Sequence, residues 1–199
     1  MKYINQIDYP YWLYVIQTEN PDEAIRERGK TRTVRTSACG PCSAIIVADR
    51  LLPNCNFDLK AAIDLAYESR SNHCAGTDYG RYAPALCEKL GLRFEATNDP
   101  EAVRRCLRTG GAVVVYIGGD YEGHVGVFST SGHYVVAVSE EPDGRIAILD
   151  PGYKAGKFDK EGRLGRVEVK NDMLCLCDMQ VLVEDTANRD PGFYLFWRA

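Results

Sequence analysis

Two hydrophobic patterns divide the sequence near residue 111. Before that point, apolar residues recur three or four positions apart over several segments, which is typical of amphipathic helices. Helices are predicted over residues 41–52, 57–70, 82–91 and 99–111. Gly91 is a natural helix stop, and Asp99 followed by Pro100 is typical of a helix start.

After residue 111 the chain is rich in β-branched and aromatic residues, which favour strands. Strands are predicted over residues 112–117, 133–139, 145–150, 165–170, 174–184 and 193–198. Residues 140–145 have the composition of a turn, so the strands on either side are expected to form a hairpin. Helices followed by an antiparallel sheet predict an α+β fold, and no change in composition divides residues 1–199 into more than a single domain.

The bulk composition is ordinary for a globular protein, and it argues against several function classes. Hydrophobic residues make up 45% of the chain, charged residues 26%, and the net charge is −4. A chain with this acidic balance is not expected to bind nucleic acid. No segment approaches the roughly 18 apolar residues that span a bilayer, so no membrane partner is expected. The N-terminus lacks the architecture of a signal peptide, which favours a cytoplasmic location.

Candidate chemistry concentrates at Cys39 and Cys42, which are separated by Gly and Pro. This spacing occurs in thiol-disulfide oxidoreductases of the thioredoxin type. In those proteins an apolar strand runs directly into the first cysteine, whereas residues 29–38 here are polar and basic. A redox role is therefore the less favoured interpretation, and the cysteines are expected to be reduced.

A zinc site at the same cysteines would need two further ligands at suitable spacing. The candidates are His73 with Cys74, and Cys175 with Cys177. The first pair is one adjacent dipeptide, and the second lies two residues apart on a predicted strand, which is not a usual zinc spacing. Scattered buried thiols explain these residues more simply, so neither a metal nor a cofactor is expected.

The third interpretation makes Cys39 a nucleophile. At the start of an apolar helix its thiolate would be stabilised by the helix dipole and by free N–H groups. Of the three histidines, His133 opens an apolar strand and is the best placed base, whereas His124 lies in a glycine-rich loop and His73 between helices. Asp150 closes the partner strand of the hairpin, at the same end as His133, where a carboxylate can orient the imidazole.

Four segments follow one another in the order ACGPCSAIIVADRL, GTDYGRYAPALCEKLGL, LRTGGAVVVYIGG and GHYVVAVSEEPDGRIAILDPGY. Together they resemble the bacterial papain-fold cysteine peptidases related to bacteriocin-processing peptidases. Those domains typically read Cys-Gly-Pro-Thr-Ser before an apolar helix, then Gly-His-aromatic-aliphatic, then Asp-Pro. The resemblance covers about residues 3 to 153. It implies a papain-like α+β fold in which the nucleophile helix packs on an antiparallel sheet, with Cys39 as nucleophile, His133 as general base and acid, and Asp150 as the orienting residue.

The resemblance also implies a glutamine upstream of the cysteine as second oxyanion donor, but residues 31–37 contain none. The segment INQIDYPYW at 4–12 is similar to a pattern near the start of some extracellular members. It nominates Gln6 for this role, with Gln17 as the alternative. Cys42 is a further departure, since the family more often has Thr there, and a disulfide between Cys39 and Cys42 would inactivate the enzyme.

These observations predict a cysteine peptidase or amidase that hydrolyses a peptide or isopeptide bond through a thioacyl intermediate. Tyr79 and Tyr153, on predicted loops, are candidate walls of the substrate pocket. The alternatives are a catalytically inactive relative that binds a peptide or partner, and an oxidoreductase using Cys39 and Cys42. An enzyme that transfers the acyl group to an amine has the same residues as a hydrolase, so the substrate class is a peptide or amide in either case.

Overall fold

The computed structural model describes residues 3–17, 21–73, 76–171 and 174–199. A short 3-10 helix covers Gln6–Asp8. The α-helices of these residues are α1 (Pro21–Glu27), α2 (Val34–Ser37), α3 (Cys39–Leu51), α4 (Leu59–Glu68), α5 (Tyr79–Leu90), α6 (Pro100–Arg108) and α7 (Met179–Thr186). The strands are β1 (Asn72–His73), β2 (Gly76–Thr77), β3 (Leu92–Thr97), β4 (Ala112–Ile117), β5 (His133–Glu140), β6 (Ile146–Leu149), β7 (Val167–Val169), β8 (Leu174–Cys177) and β9 (Phe193–Arg198).

Seven of the strands form one antiparallel sheet in the order β3-β9-β4-β5-β6-β8-β7. The other two, β1 and β2, pair with each other. The N-terminal helices pack on the large sheet, with α3 against its central strands β4 and β5. The prediction of an α+β protein with helices on an antiparallel sheet is confirmed.

The large sheet is covered on both faces. Successive residues of a strand point to opposite faces, so the central strands contribute to two hydrophobic clusters. Val114 and Val136 belong to the cluster that contains α3, α4 and α5. Val113 and Val135 belong to the cluster that contains α6 and α7. Because both faces are buried, these strands are nearly continuous apolar runs instead of alternating ones.

Several local signals lead to the predicted structure. The strands predicted over residues 112–117 and 193–198 coincide with β4 and β9. Gly91 caps α5 in the left-handed conformation with φ at 64°, as a helix-stopping glycine should. The Asp99 side chain caps the start of α6, and Pro100 is its first residue. The turn after β5 closes the expected hairpin with β6 through a hydrogen bond from Glu141 N–H to the Arg145 carbonyl at 2.8 Å.

Helices α1 and α2 and strands β1 and β2 were not predicted, and two further differences concern the large sheet. The strand predicted over residues 174–184 is wrong beyond Cys177, because α7 begins at Met179 after Asp178. Its β-branched residues favour a strand locally, but burial of Val181 and Leu182 against the sheet determines the helix. Strand β3 was not predicted, since its sequence LRFEAT is half polar and the strand lies at the edge of the sheet beside β9.

None of the described helices is long and apolar enough to cross a bilayer.

The first turn of α3 is packed too closely for a side chain at position 40. A Cβ on Gly40 would lie 2.4 Å from the Thr77 side chain. That threonine is held from two sides, because its hydroxyl is hydrogen-bonded to the Tyr14 hydroxyl at 3.1 Å and its carbonyl accepts from the Tyr134 hydroxyl at 2.7 Å. The Gly40 carbonyl accepts from the Tyr79 hydroxyl at 2.9 Å. These contacts fix the position at which the helix begins.

We predict that Gly40→Ala destabilises the protein by about 1–3 kcal/mol, because the added methyl group meets a restrained threonine. Gly80→Ala in the first turn of α5 is the control, since the nearest atom to its Cβ is an oxygen of the Asp78 side chain, at 3.0 Å. Urea unfolding followed by circular dichroism measures both variants. Equal losses of unfolding free energy would contradict the prediction.

Candidate active site

Cys39 is the first residue of α3, and its exposed fraction is 8%. Helix α2 ends at Ser37, so Ala38 alone separates the two helices. The first N–H groups of an α-helix have no acceptor within the helix. In α3 these groups lie at the N-terminus, where Cys39 is located. The helix dipole adds a partial positive charge at the same place, so the position favours a thiolate.

The Cys39 thiol lies beside the imidazole of His133 and the backbone N–H groups of Gly40 and Tyr134, all of which favour its thiolate form. Burial alone would raise the pKa of the thiol. The hydrogen bond and the positive charge of His133 outweigh burial, so the pKa of Cys39 is lowered. The two side chains therefore favour a thiolate–imidazolium pair.

His133 and Asp150 meet at one end of the β5–β6 hairpin. His133 is the first residue of β5, and Asp150 follows the last residue of β6. His133 Nε2 lies 2.8 Å from Asp150 Oδ1, which leaves Nδ1 as the ring nitrogen for the thiol. Burial lowers the pKa of His133, but the Asp150 carboxylate outweighs it, and the pKa rises to about 8. The structure thus brings together Cys39, His133 and Asp150.

The Asp150 carboxylate is fully buried and binds two groups besides the histidine. Oδ1 accepts from the N–H of Gly152 at 2.7 Å, and Oδ2 accepts from the ammonium of Lys157. Burial would raise the pKa of Asp150, but the positive charges of Lys157 and His133 hold it well below its usual range. Asp150 therefore stays ionised while His133 gains and loses its proton.

Lys157 is a part of this site that the sequence did not reveal. Its side chain is 9% exposed and lies in the loop after β6. Its charge lowers the pKa of His133, so it partly opposes the effect of Asp150. Lys157 lies in an irregular loop, where no regular repeat predicts which side chains meet. Its contact with Asp150 could therefore not be predicted from the spacing of the two residues.

Of the two glutamines nominated as oxyanion donor, Gln6 lines the cleft beside His133 and Gln17 does not. The Gln6 backbone N–H donates to the Pro151 carbonyl at 2.7 Å, which fixes the residue next to Asp150 along the chain. Its Nε2 donates to the Arg35 carbonyl at 2.9 Å. Its Oε1 is buried without a hydrogen-bond partner among the described residues.

The two tyrosines nominated as pocket walls have other surroundings. Tyr79 is the first residue of α5 and not a loop residue, and it is only 1% exposed. Its ring packs 4.7 Å from that of Tyr134 and lines a separate cavity of about 320 Å³. Tyr153 is half-buried in the loop after β6, with its ring 6.3 Å from that of Phe158. Neither lines the cleft beside His133.

The other two histidines belong to other parts of the fold. His124 lies in the loop between β4 and β5, and its Nε2 is 2.8 Å from Oδ1 of Asp185 in α7. The same carboxylate accepts from the N–H groups of Val127 and Phe128 at 2.8 and 2.9 Å. This histidine–aspartate pair ties the loop to α7. His73 is a half-buried residue of β1.

The remaining cysteines bear on the redox and zinc alternatives. Cys42 is fully buried, its pKa is raised by burial, and both it and Cys39 are free thiols. Helix α2, and not a strand, leads into Cys39.

Cys175 and Cys177 are buried in the cluster that contains α6 and α7, and Cys74 lies outside the described residues. Within the described ranges, no group of three His, Cys, Asp or Glu residues is arranged to hold a metal ion.

A surface cleft of about 260 Å³ opens beside His133. It is lined by residues from the N-terminal segment, from the loop before β5 and from the loop after β6. Gly152 lies directly against the imidazole, since a Cβ at this position would be 2.9 Å from His133 Cε1. A glycine therefore keeps the ring accessible from the cleft.

Comparisons with known proteins add no family to this picture: no family model matches the chain, and no curated protein matches it. A functional assignment therefore has to come from the residues of the site.

We predict that Lys157→Met raises the pKa of His133 above about 8, because it removes a positive charge that lowers this pKa. Titration of the His133 ring protons by NMR measures the change. Lys154→Met is the matched control, since this lysine lies in the same loop, is exposed, and has no ion pair with Asp150. A His133 pKa that stays the same or falls in Lys157→Met would overturn the prediction.

Proposed function

We propose that this protein is a cysteine peptidase or amidase of papain-like fold that hydrolyses a peptide or isopeptide bond. The observation that carries the proposal is the placement of His133 between the Cys39 thiol, whose pKa it lowers, and the buried carboxylate of Asp150, 2.8 Å from its Nε2. Acyl transfer by a nucleophile requires these three parts: the nucleophile, a base, and a group that orients the base. The papain-like assignment is supported by a nucleophile helix packed on an antiparallel sheet that carries the other two residues.

In the proposed reaction the Cys39 thiolate attacks the carbonyl carbon, and the π electrons of the carbonyl move onto its oxygen. The imidazolium of His133 then donates its proton to the amide nitrogen as the carbon–nitrogen bond breaks. The amine leaves, and the acyl group remains on Cys39 as a thioester. Neutral His133 next takes a proton from water, the hydroxide adds to the thioester carbonyl, and the thiolate leaves. The carboxylic acid product departs and loses its proton to solvent, and the thiolate–imidazolium pair is restored.

The negative oxygen of the tetrahedral intermediate needs hydrogen-bond donors that are in place before the reaction. The backbone N–H of Cys39, at the start of α3, is the first proposed donor. Gln6 is the second, because it lines the cleft beside His133 and its Nε2, which has two N–H groups, donates to the Arg35 carbonyl. Gln6 is thus preferred over Gln17 for this role.

We predict that a brief, limiting pulse of iodoacetamide at pH 6 alkylates Cys39 faster than the other thiols, because its lowered pKa gives it a larger thiolate fraction than an ordinary thiol has at the same pH. Peptide mapping by mass spectrometry quantifies the label. Cys87 is the internal control, since it is half-buried and its pKa is raised to about 11. His133→Ala should slow the labelling of Cys39 severalfold or more, because it removes the imidazole that lowers the pKa of this thiol.

If Cys39 is labelled no faster than Cys87, or if its labelling rate is unchanged in His133→Ala, the nucleophile assignment fails. In that case the interpretation as a catalytically inactive binding protein would be the one to pursue.

We predict that the protein cleaves members of a peptide library of known sequence, and that Cys39→Ala cleaves none. Mass spectrometry of new N-termini detects cleavage. The rate should fall above pH 8, because His133 loses the proton that the leaving amine needs. Gln6→Ala should keep the rapid alkylation of Cys39 but lower kcat by about 10²-fold, as loss of one oxyanion donor does.

Added glycinamide separates hydrolysis from acyl transfer, since a transferase would place glycinamide on the new C-termini. Cleavage that persists in Cys39→Ala would contradict the proposal and point to a contaminating peptidase.

A further inference from the structure

The cleft beside His133 has an unusual charge. Five cationic side chains line it, and its described lining contains no carboxylate. The five are Arg35, Lys154, Lys157, Lys160 and Arg163. The chain as a whole carries a net charge of −4, so this is a local concentration of positive charge on an acidic protein. Such a cleft concentrates anions near it.

Among the described residues, most of these charges have no counter-ion. Lys157 is bound to Asp150, but no ion pair within the described ranges joins any of the other four to a carboxylate. Asp159 and Glu161 belong to the same loop as the lysines, yet neither lines the cleft. Elsewhere on the surface many cations are paired, as Arg108 is with Glu140 at 2.6 Å. The positive charge of the cleft is therefore largely uncompensated by the described residues.

Arg163 gives the second, independent observation. Its exposed fraction is only 5% although it lines the cleft. Nη1 donates to the Lys157 carbonyl at 3.4 Å, while Nη2 is buried and has no acceptor among the described residues. Leaving a donor of a buried guanidinium unsatisfied is costly. A carboxylate in the cleft would supply the missing acceptor once the Arg163 side chain turns Nη2 toward it, and guanidinium groups bind carboxylates strongly.

The position of the cleft identifies the part of the substrate that would meet these cations. In the proposed mechanism His133 gives its proton to the leaving amine, so the segment released with that amine lies beside the imidazole. His133 lines the cleft, and Cys39 does not. The cations thus face the released segment.

On the basis of the proposed function, we infer that the substrate carries a carboxylate in the segment released with the leaving amine. Arg163 binds this carboxylate at the inner end of the cleft, and Lys154 and Lys160 attract it from the surface. The carboxylate is either an acidic side chain of that segment or the free C-terminus of a short one. Both sources present the same group to Arg163, and they differ in where the substrate is cut.

Binding is tested on Cys39→Ala protein, which cannot turn over a substrate. The probes are three pentapeptides with one neutral fluorophore: an amidated alanine peptide, the same peptide with two glutamates, and the alanine peptide with a free C-terminus. We expect at least one carboxylate-bearing peptide to bind about tenfold more tightly than the amidated alanine peptide, measured by fluorescence anisotropy. Tighter binding of the glutamate peptide assigns the side chain, and tighter binding of the free acid assigns the C-terminus.

The paired substitution Lys154→Gln with Lys160→Gln should reduce this preference roughly three- to tenfold, because each exposed charge contributes modestly. The control is Lys60→Gln with Lys89→Gln, which removes the same total charge from exposed sites on α4 and α5. The control should leave the preference unchanged. Equal binding of the three peptides, or an equal loss in the two double variants, overturns the inference.

Alkylation separates failure of this inference from failure of the proposed function. Iodoacetate is an anion and iodoacetamide is neutral, so the ratio of their rates at Cys39 reports the charge of the cleft. We expect this ratio to fall at least threefold in the Lys154→Gln, Lys160→Gln variant. Rapid reaction with iodoacetamide and an unchanged ratio would retain the nucleophile and overturn the anion site. Slow reaction with both reagents overturns the proposed function, and the inference falls with it.

Discussion

The candidate site depends on one meeting of two elements that are far apart in sequence: the start of α3 and the open end of the β5–β6 hairpin. There the thiol, the imidazole, the carboxylate and the ammonium of Cys39, His133, Asp150 and Lys157 form a buried series of alternating charge. Each of these ions would be costly to bury alone. Each has an opposite charge beside it, so removing one changes the ionisation of its neighbours.

Neutral tyrosines hold the helix start in place for this series. The hydroxyls of Tyr79 and Tyr134 donate to the carbonyls of Gly40 and Thr77, and burial raises both tyrosine pKa values well above their usual range. The hydroxyls therefore remain protonated donors whatever the state of the thiol. Their rings pack together in the hydrophobic cluster that contains α3, so the same side chains fill the core and fix the start of the helix that carries Cys39.

The sequence was most informative where a local rule and the tertiary context agree. The continuous apolar runs of β4 and β9 predict these strands correctly, and the composition after β5 predicts the turn correctly. The hairpin closed by this turn brings His133 to Asp150. The sequence was misleading for α7, because its β-branched residues favour a strand. They form a helix that is buried against the large sheet. It said nothing of Lys157, because a contact made by an irregular loop has no period that could reveal it.

The loop between β4 and β5 contributes residues 128–130 to the cleft, and Asp185 on α7 holds that loop through the N–H groups of Val127 and Phe128 and the ring of His124. The Cys39 thiol is held by the start of α3 and by the hairpin instead. The wall of the cleft and the thiol beside it are thus held by different contacts. Substitutions along the loop between β4 and β5 can therefore reshape the cleft while the surroundings of the thiol stay unchanged.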